Sequence, residues 1–148
     1  MLLRSDDEAQ TWHYYRAIEN DRTLRFRADL VQVGRDVAMV YAYESSRIEG
    51  STDRDVYFQW WRFDPATRDF VPQPPVRVFD STSSSTAYYR GELAVDSQGR
   101  LWVHASLLEA NGTFSLVMSV SSDGGRTFVR QPDLDNLRAR AGGRLLSL

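Results

Sequence analysis

Three aromatic residues recur at a constant spacing along this chain, with Trp12, Phe70 and Phe128 placed 58 residues apart. Each of them ends a polar stretch that is typical of a turn. Around the second and third aromatics, residues 68–74 (Arg-Asp-Phe-Val-Pro-Gln-Pro) and 126–132 (Arg-Thr-Phe-Val-Arg-Gln-Pro) are identical at five of seven positions. Self-similarity at a fixed period of this length predicts one structural unit used repeatedly.

The segments between the turns are typical of β-strands. Runs rich in Val, Tyr, Phe, Trp and Leu, separated by Gly, Asp, Ser and Pro, predict strands at 24–33, 37–43, 56–63, 70–79, 88–95, 101–108 and 114–120. Helical spacing with caps at both ends is missing, although 134–146 is compatible with a short helix or a tail. The sequence therefore predicts an all-β fold.

The size of the repeated unit indicates the architecture. Four antiparallel strands in about 50 to 60 residues correspond to one blade of a β-propeller. We therefore predict an incomplete propeller of four-stranded antiparallel blades, in which 1–20 end one blade, 23–80 and 83–135 form two blades, and 136–148 lead into the next blade or form a tail. Closed propellers have about four to eight blades, so the predicted partners are the remaining blades, from a longer chain or from other copies.

Prolines mark the outer edge of each predicted blade. Pro72, Pro74 and Pro75 fall in the fourth and outermost strand of the first full unit, and Pro132 follows the same strand of the second. At an edge, a missing backbone donor removes no ladder hydrogen bond, and it discourages pairing with another sheet.

Composition excludes several classes of function. A net charge of −2 gives no basic surface for nucleic acid, and no apolar run approaches the roughly 18 residues of a membrane span. Without cysteine there is no thiolate chemistry, and His13 and His104 lack neighbours at metal-binding spacing, so neither a metal nor a cofactor is predicted. The first residues lack the apolar stretch of a signal peptide, and the cellular location stays open.

Two segments share the pattern Ser-x-Asp-x-Gly-x-Thr-aromatic. Residues 121–128 (Ser-Ser-Asp-Gly-Gly-Arg-Thr-Phe) fit it fully, and 5–12 (Ser-Asp-Asp-Glu-Ala-Gln-Thr-Trp) fit it with Ala9 in place of glycine. In a hairpin, the aspartate can accept hydrogen bonds from turn amides and the glycine can adopt positive φ. We predict a structural turn, formed by Ser5, Asp7, Thr11, Trp12, Ser121, Asp123, Gly125, Thr127 and Phe128. The middle unit, 63–70, keeps only the aromatic of this pattern.

This pattern resembles the Asp-box of the sialidase-like (BNR-repeat) β-propellers, and together with the period the resemblance spans nearly the whole chain. It implies a propeller whose Asp-box turns lie away from the catalytic face, and export in a longer form. Active members use an arginine cluster, a tyrosine nucleophile with a glutamate, and an aspartate acid/base. The family's Arg-Ile/Leu-Pro signature is missing here, and the nearest string, 47–49, reads Arg-Ile-Glu.

Charged pairs recur on the first strand of each full unit. Alternation predicts that both members of a pair lie on one face, on the strand nearest a propeller's axis. One interpretation is a channel in which guanidinium groups bind a ligand carboxylate, and the other is Arg–carboxylate pairs that join blades. The candidate ligand-binding residues are Arg27, Asp29, Tyr89, Arg90 and Glu92.

Two shorter motifs give local predictions. Trp60 and Trp61 are adjacent on a strand and should point to opposite faces of its sheet, one into the core between blades and the other available to stack on a sugar. Asn111-Gly112-Thr113 fits a glycosylation site, but Asn-Gly between two apolar runs favours a type I′ hairpin turn.

The leading functional prediction is a propeller segment with a structural or a glycan- or protein-binding role and no complete active site of its own. The alternative is a fragment of an exo-sialidase or related glycoside hydrolase, whose remaining catalytic groups lie on missing blades.

Overall fold

A computed structural model shows that the chain is all-β. The structure describes residues 2–5, 7–16, 28–44, 54–81 and 86–135. Its strands are β1 (Leu2–Arg4), β2 (His13–Arg16), β3 (Ala28–Val33), β4 (Asp36–Glu44), β5 (Arg54–Asp64), β6 (Asp69–Pro72), β7 (Val76–Phe79), β8 (Ala87–Val95), β9 (Leu101–Leu108), β10 (Phe114–Ser121) and β11 (Val129–Arg130). One turn of 3-10 helix follows at Pro132–Leu134. Nowhere in these ranges is there a helix long and apolar enough to cross a bilayer.

The strands form antiparallel sheets that follow chain order. Strands β1 and β2 form a hairpin. Sheet I has the order β3-β4-β5-β6, with β7 also paired to β5, and sheet II has the order β11-β10-β9-β8. The two full repeat units predicted from the sequence are therefore two four-stranded antiparallel units, the first with a divided fourth strand.

That division occurs at the prolines. Strands β6 and β7 both pair with β5, and residues 73–75 between them belong to neither strand. Pro74 and Pro75 have no N–H to donate, so the strand cannot continue through them as a regular ladder. Sheet II repeats the device, because β11 stops at Arg130 and Pro132 opens the 3-10 turn.

The 58-residue period is visible in individual hydrogen bonds. The Gln73 N–H donates to the carbonyl of Trp60, and the Gln131 N–H donates to the carbonyl of Met118, both at 2.8 Å. The side-chain amides of these glutamines donate to the carbonyls of Val71 and Val129, both at 3.2 Å. Residues 58 positions apart thus occupy equivalent places in sheets I and II.

The main core lies between sheets I and II. Alternate residues of β4 and β5 face sheet II, where they pack with residues of β8, β9 and β10; the fully buried members are Ala38, Val40, Ala42, Val56, Phe58, Leu101, Val103, Ala105 and Val117. The other face of sheet I carries a separate cluster of Met39, Tyr41 and Trp61. Trp60 packs against the first cluster, so the two indoles do lie on opposite faces.

The turn at Asn111-Gly112 has a different type from the one predicted. A type I′ turn needs positive φ at both central residues. Gly112 has a φ of +82°, but Asn111 does not lie in the left-handed region, and Gly112 N–H donates to the carbonyl of Glu109 at 2.9 Å. The Asn111 side chain accepts from the Thr113 N–H at 2.9 Å, which favours a type I turn followed by a left-handed glycine.

Candidate functional site

The turn 121–128 connects β10 to β11 through a closed set of hydrogen bonds. The Ser121 hydroxyl donates to Asp123 Oδ1 at 2.7 Å and accepts from the Gly125 N–H at 2.8 Å. Asp123 Oδ1 also accepts from the Arg126 and Thr127 N–H groups, both at 3.0 Å, and Oδ2 accepts from the Thr127 hydroxyl at 2.6 Å. Asp123 therefore serves the turn itself, as the sequence predicted.

The turn 5–12 between β1 and β2 has the same bonding scheme. The Ser5 hydroxyl donates to Asp7 Oδ1 at 2.8 Å and accepts from the Ala9 N–H at 2.8 Å. Asp7 Oδ1 accepts from the Thr11 N–H at 2.8 Å, and Oδ2 accepts from the Thr11 hydroxyl. Replacing the glycine with Ala9 has therefore left the hydrogen bonds of the motif intact.

Both aspartates are held in their ionised form by these bonds. The Thr127 hydroxyl contributes most to lowering the pKa of Asp123, followed by the Thr127 N–H and the Ser121 hydroxyl. The pKa of Asp7 is lowered in the same way, again chiefly by the threonine, Thr11. Hydrogen bonds donated to a carboxylate stabilise its charged form, so each turn is most stable with its aspartate ionised.

The two turns adopt the same backbone shape with different residues. Gly124 and Gly125 have φ angles of +73° and +86°, and the corresponding residues Glu8 and Ala9 have +56° and +67°. Positive φ costs glycine little but is unfavourable for residues with a Cβ. The turn 5–12 therefore carries backbone strain that the turn 121–128 avoids.

The third turn, 63–70, is built differently. Asp64 Oδ1 accepts from the Ala66 N–H and Oδ2 from the Thr67 hydroxyl, both at 2.9 Å. The aspartate thus reaches a threonine three positions later, whereas in the other two turns it reaches one four positions later. This turn matches the sequence prediction that the middle unit lost the Ser/Asp pattern and kept its aromatic, Phe70.

The turn 121–128 also contacts β5 of sheet I. The Trp60 Nε1–H donates to the carbonyl of Gly124 at 2.7 Å. The Phe58 and Phe128 rings lie 5.2 Å apart, and a Cβ added to Gly125 would lie 2.3 Å from Phe58 Cε1. The sequence did not identify Phe58 as the residue that receives the turn, because motif reading within one unit carries no information about the neighbouring unit.

The turn 5–12 has no comparable seat among the residues that the structure describes. Trp12, which corresponds to Phe128, is 58% exposed, and Ala9 is exposed whereas Gly125 is buried. The hairpin instead approaches sheet I through Arg4, whose guanidinium lies 3.9 Å from Asp69. An apolar cavity of about 360 Å³ lies there, lined by Leu3, Arg4, Leu30, Gln32, Val37, Trp61 and Phe70.

The predicted ligand-binding residues meet at a polar cleft between the first strands of the two sheets. The cleft measures about 270 Å³ and is lined by Ala28, Asp29, Arg90, Gly91 and Glu92. Arg27 and the string 47–49 lie outside the described residues. Asp29, Arg90 and Glu92 therefore line the same cleft.

Both carboxylates of the cleft already have protein partners. Asp29 Oδ2 accepts from the Leu93 N–H at 2.8 Å, which joins β3 to β8, and its Oδ1 accepts from the Leu30 N–H at 3.0 Å. Glu92 Oε2 lies 2.8 Å from Nε2 of His104. These contacts favour a structural role for the two carboxylates over the binding of a ligand.

A β-bulge changes the expected face of Arg90. Tyr89 pairs with Ser106 and Glu92 pairs with His104, so both Arg90 and Gly91 lie opposite the single residue Ala105. Glu92 thus shares a face with Tyr89, and the simple alternation that put Glu92 with Arg90 does not hold. Arg90 takes a φ of +49°, which strand periodicity cannot signal.

Gly91 of the bulge packs against the side chains of sheet I. A Cβ at this position would lie 2.9 Å from Cγ2 of Val40 and 3.1 Å from Cγ1 of Val56. The missing side chain therefore lets β8 approach sheet I closely.

Tyr89 is held on the face of sheet II that points away from sheet I. The Arg54 guanidinium lies 4.5 Å from the centre of its ring, and the Phe114 ring lies 5.8 Å away in an edge-to-face arrangement. Within the described ranges, no three His, Cys, Asp or Glu residues are grouped so that they could hold a metal ion.

Comparison with known proteins adds no identity. The sequence matches no protein-family model and no curated protein.

Proposed function

We propose that this chain is a segment of a sialidase-like Asp-box β-propeller and that its role is non-catalytic. In this proposal its sheets stack on further repeat units to form a scaffold that binds a glycan or protein ligand. The observation that carries the proposal is the seating of the Asp-box turn 121–128 on Phe58 and Trp60 of the preceding sheet. A turn that closes its own hydrogen bonds and also packs on its neighbour joins successive units of a repeat.

The charged residues of the first strands support the same role. Asp29 accepts a backbone hydrogen bond from the next unit, at Leu93, and its repeat equivalent is Glu92. A carboxylate that accepts such an amide hydrogen bond holds two strands together, since an unpaired buried amide would be costly. In the proposed scaffold, Glu92 takes the equivalent position toward a further unit.

Coupling between the two sheets tests the scaffold role. We expect Phe58→Ala and Phe128→Ala to destabilise the protein non-additively, with an interaction energy of about 1 kcal/mol in a double-mutant cycle, because the two rings pack across the sheets. Val71→Ala paired with Phe58→Ala serves as the control, since Val71 is largely exposed. Additive effects of the two phenylalanines would contradict the scaffold.

Turnover of glycosides tests the alternative of a hydrolase fragment. We expect purified protein to release no fluorophore from sialosides or neutral glycosides above the level of buffer. Turnover that is lost in Glu92→Gln or Arg90→Ala, with the near-ultraviolet circular dichroism unchanged, would overturn the non-catalytic role and favour the hydrolase.

Glycan binding is measured separately on immobilised acidic and neutral glycans. Saturable binding that Arg90→Ala weakens would locate the ligand site in the cleft between the first strands.

A further inference from the structure

The residues that receive the Asp-box turn inside the molecule have counterparts on the outer face of sheet II, which we define as the face directed away from sheet I. On β5, the receiving residues are Phe58 and Trp60. Because 58 positions separate equivalent residues, their counterparts on β10 are Leu116 and Met118. Strand β10 therefore repeats, one unit further along, the strand on which the turn 121–128 is seated.

The register of sheet II places these counterparts on the outer face. Met118 pairs with His104, whereas the neighbouring Val117 pairs with Ala105 and belongs to the core between the sheets. Phe114 is on the outer face as well, and it is 65% exposed, whereas its counterpart Val56 is fully buried. A surface that is core in sheet I is thus open at this position in sheet II.

The molecule also carries a second copy of the element that seats on such a surface. The turn 5–12 has the hydrogen bonds and backbone shape of the turn 121–128, yet Trp12 is 58% exposed. The chain therefore presents both halves of an interface that it already forms internally, and these two halves lie at opposite ends of its series of sheets.

The two exposed halves are matched in size. Within the molecule, Gly125 lies against Phe58, and the space leaves no room for a Cβ. The exposed turn has the larger Ala9 at this position, and the outer face has the smaller Leu116 in place of Phe58. The aromatic of the exposed turn is also larger, with Trp12 in place of Phe128, and the outer face carries the smaller Met118 in place of Trp60. Volume that is gained on one side is offset by volume lost on the other, as close packing requires.

We propose that the outer face of sheet II binds the turn 5–12 of a second copy of this chain, with Trp12 packed on Leu116 beside Met118, as Phe128 packs on Phe58 within the molecule. This inference rests on the proposed repeat scaffold, and it adds the partner and the contact residues. The contact is heterologous, because the turn of one copy meets a different surface of the next, and such contacts form rings or open filaments.

The intermolecular contact is weaker than the internal one. The Met118 side chain has no N–H to replace the bond that Trp60 Nε1 donates to the carbonyl of Gly124. The internal contact also benefits from the covalent chain, which keeps the two sheets at high effective concentration. Association between copies is therefore concentration-dependent.

Sedimentation velocity across a concentration series tests the interface. We expect the unaltered chain to associate, and Trp12→Ser and Met118→Arg each to weaken association by about 30-fold or more, as for a central aromatic anchor. Val71→Ser is the matched control, because Val71 is an exposed apolar residue outside the turn 5–12 and strand β10. Phe114→Arg is the second variant of the receiving face, and near-ultraviolet circular dichroism reports whether each variant is folded.

Mixing the two kinds of variant tests the head-to-tail arrangement. The Trp12→Ser chain keeps its receiving face and the Met118→Arg chain keeps its turn, so an equimolar mixture forms a dimer that neither variant forms alone. A folded monomer at all concentrations, association that both substitutions leave unchanged, or no dimer in the mixture would each overturn the inference. Non-additivity between Phe58 and Phe128 would still support the scaffold in any of these cases, so the two proposals fail separately.

Discussion

The two turns with the Ser-x-Asp pattern, 5–12 and 121–128, share their hydrogen bonds but differ in what surrounds them. In both turns, a serine and an aspartate side chain accept hydrogen bonds from backbone N–H groups of the turn. A threonine hydroxyl donates a further hydrogen bond to the aspartate. Only the turn 121–128 is seated on another sheet, and only that turn has glycines where φ is positive. The comparison teaches that the polar residues of the motif form the turn, whereas the glycines adapt it to the surface that it contacts.

The largest expected effect tests whether glycine is required by the neighbouring sheet. Gly125→Ala places a Cβ against Phe58 at a φ of +86°, so overpacking and backbone strain together should destabilise the protein by about 3 kcal/mol. The matched control is Gly124→Ala, which has a φ of +73° and no atom near the new Cβ, and which should cost only about 1 kcal/mol. Urea unfolding measures both values. Equal losses would show that the seat on Phe58 does not matter.

The second prediction uses the lowered pKa of Asp123. Because the pKa is lowered by folding, ionised Asp123 stabilises the protein above the unfolded value of about 3.9, and this stability is lost as the pH falls toward the folded value. Asp123→Asn should therefore lower stability at about pH 7, and it should flatten the loss of stability at acidic pH. Urea unfolding at several pH values measures this. An unchanged acid dependence in Asp123→Asn would contradict it.

The same substitution in the exposed turn sharpens the comparison. Asp7→Asn removes the same hydrogen bonds, but its turn is not seated on Phe58. We expect it to weaken the β1–β2 hairpin, seen as faster amide exchange there, with little change in the unfolding of sheets I and II. A global loss as large as that of Asp123→Asn would show that the two turns contribute equally.

The third prediction isolates the hydrogen bond that joins the sheets. Trp60→Phe keeps an aromatic ring against Phe58 but removes the Nε1 donor to the carbonyl of Gly124, so it should cost about 1 kcal/mol. The measurement is thermal or urea unfolding. Trp102→Phe removes an indole donor used within sheet II and should leave the double-mutant coupling of Phe58 with Phe128 unchanged.

The smallest effect concerns strain in the exposed turn. Ala9→Gly relieves a φ of +67° without adding contacts, and it should stabilise the hairpin by about 0.5 kcal/mol. Slower amide exchange in β1 and β2 would report this gain. If Ala9→Gly destabilised the hairpin instead, the strain inferred from its backbone would be wrong.

The sequence pattern predicted these strands well because most of their apolar residues are buried or half-buried. The runs 37–43, 56–63 and 101–108 correspond to β4, β5 and β9, where one face of each strand enters the core. The hydrogen bonds within the turns 5–12 and 121–128 were also predictable, since they join residues within four positions of each other. Local pattern and local chemistry agree in these segments.

Features that depend on two sheets at once were not predictable in the same way. At the bulge of Arg90 and Gly91, the strand packs closely on Val40 and Val56, which lie far away in the sequence. Similarly, the type of the turn at Asn111 depends on its bonding with Glu109 and Thr113, and the dipeptide alone predicted a different type. The alignment of repeats singled out Asp29, Arg90 and Glu92, but only the structure shows that the two carboxylates already bind the Leu93 N–H and the His104 imidazole.

The prolines at the ends of the fourth strands determine how further strands can contact the two sheets. With the outer edge interrupted at 73–75 and again after Arg130, another strand has no continuous ladder to extend there. In the proposed scaffold, further repeat units therefore pack on the faces of the sheets and do not pair along these edges. These interruptions disfavour the lateral, fibril-like pairing that exposed β edges otherwise permit.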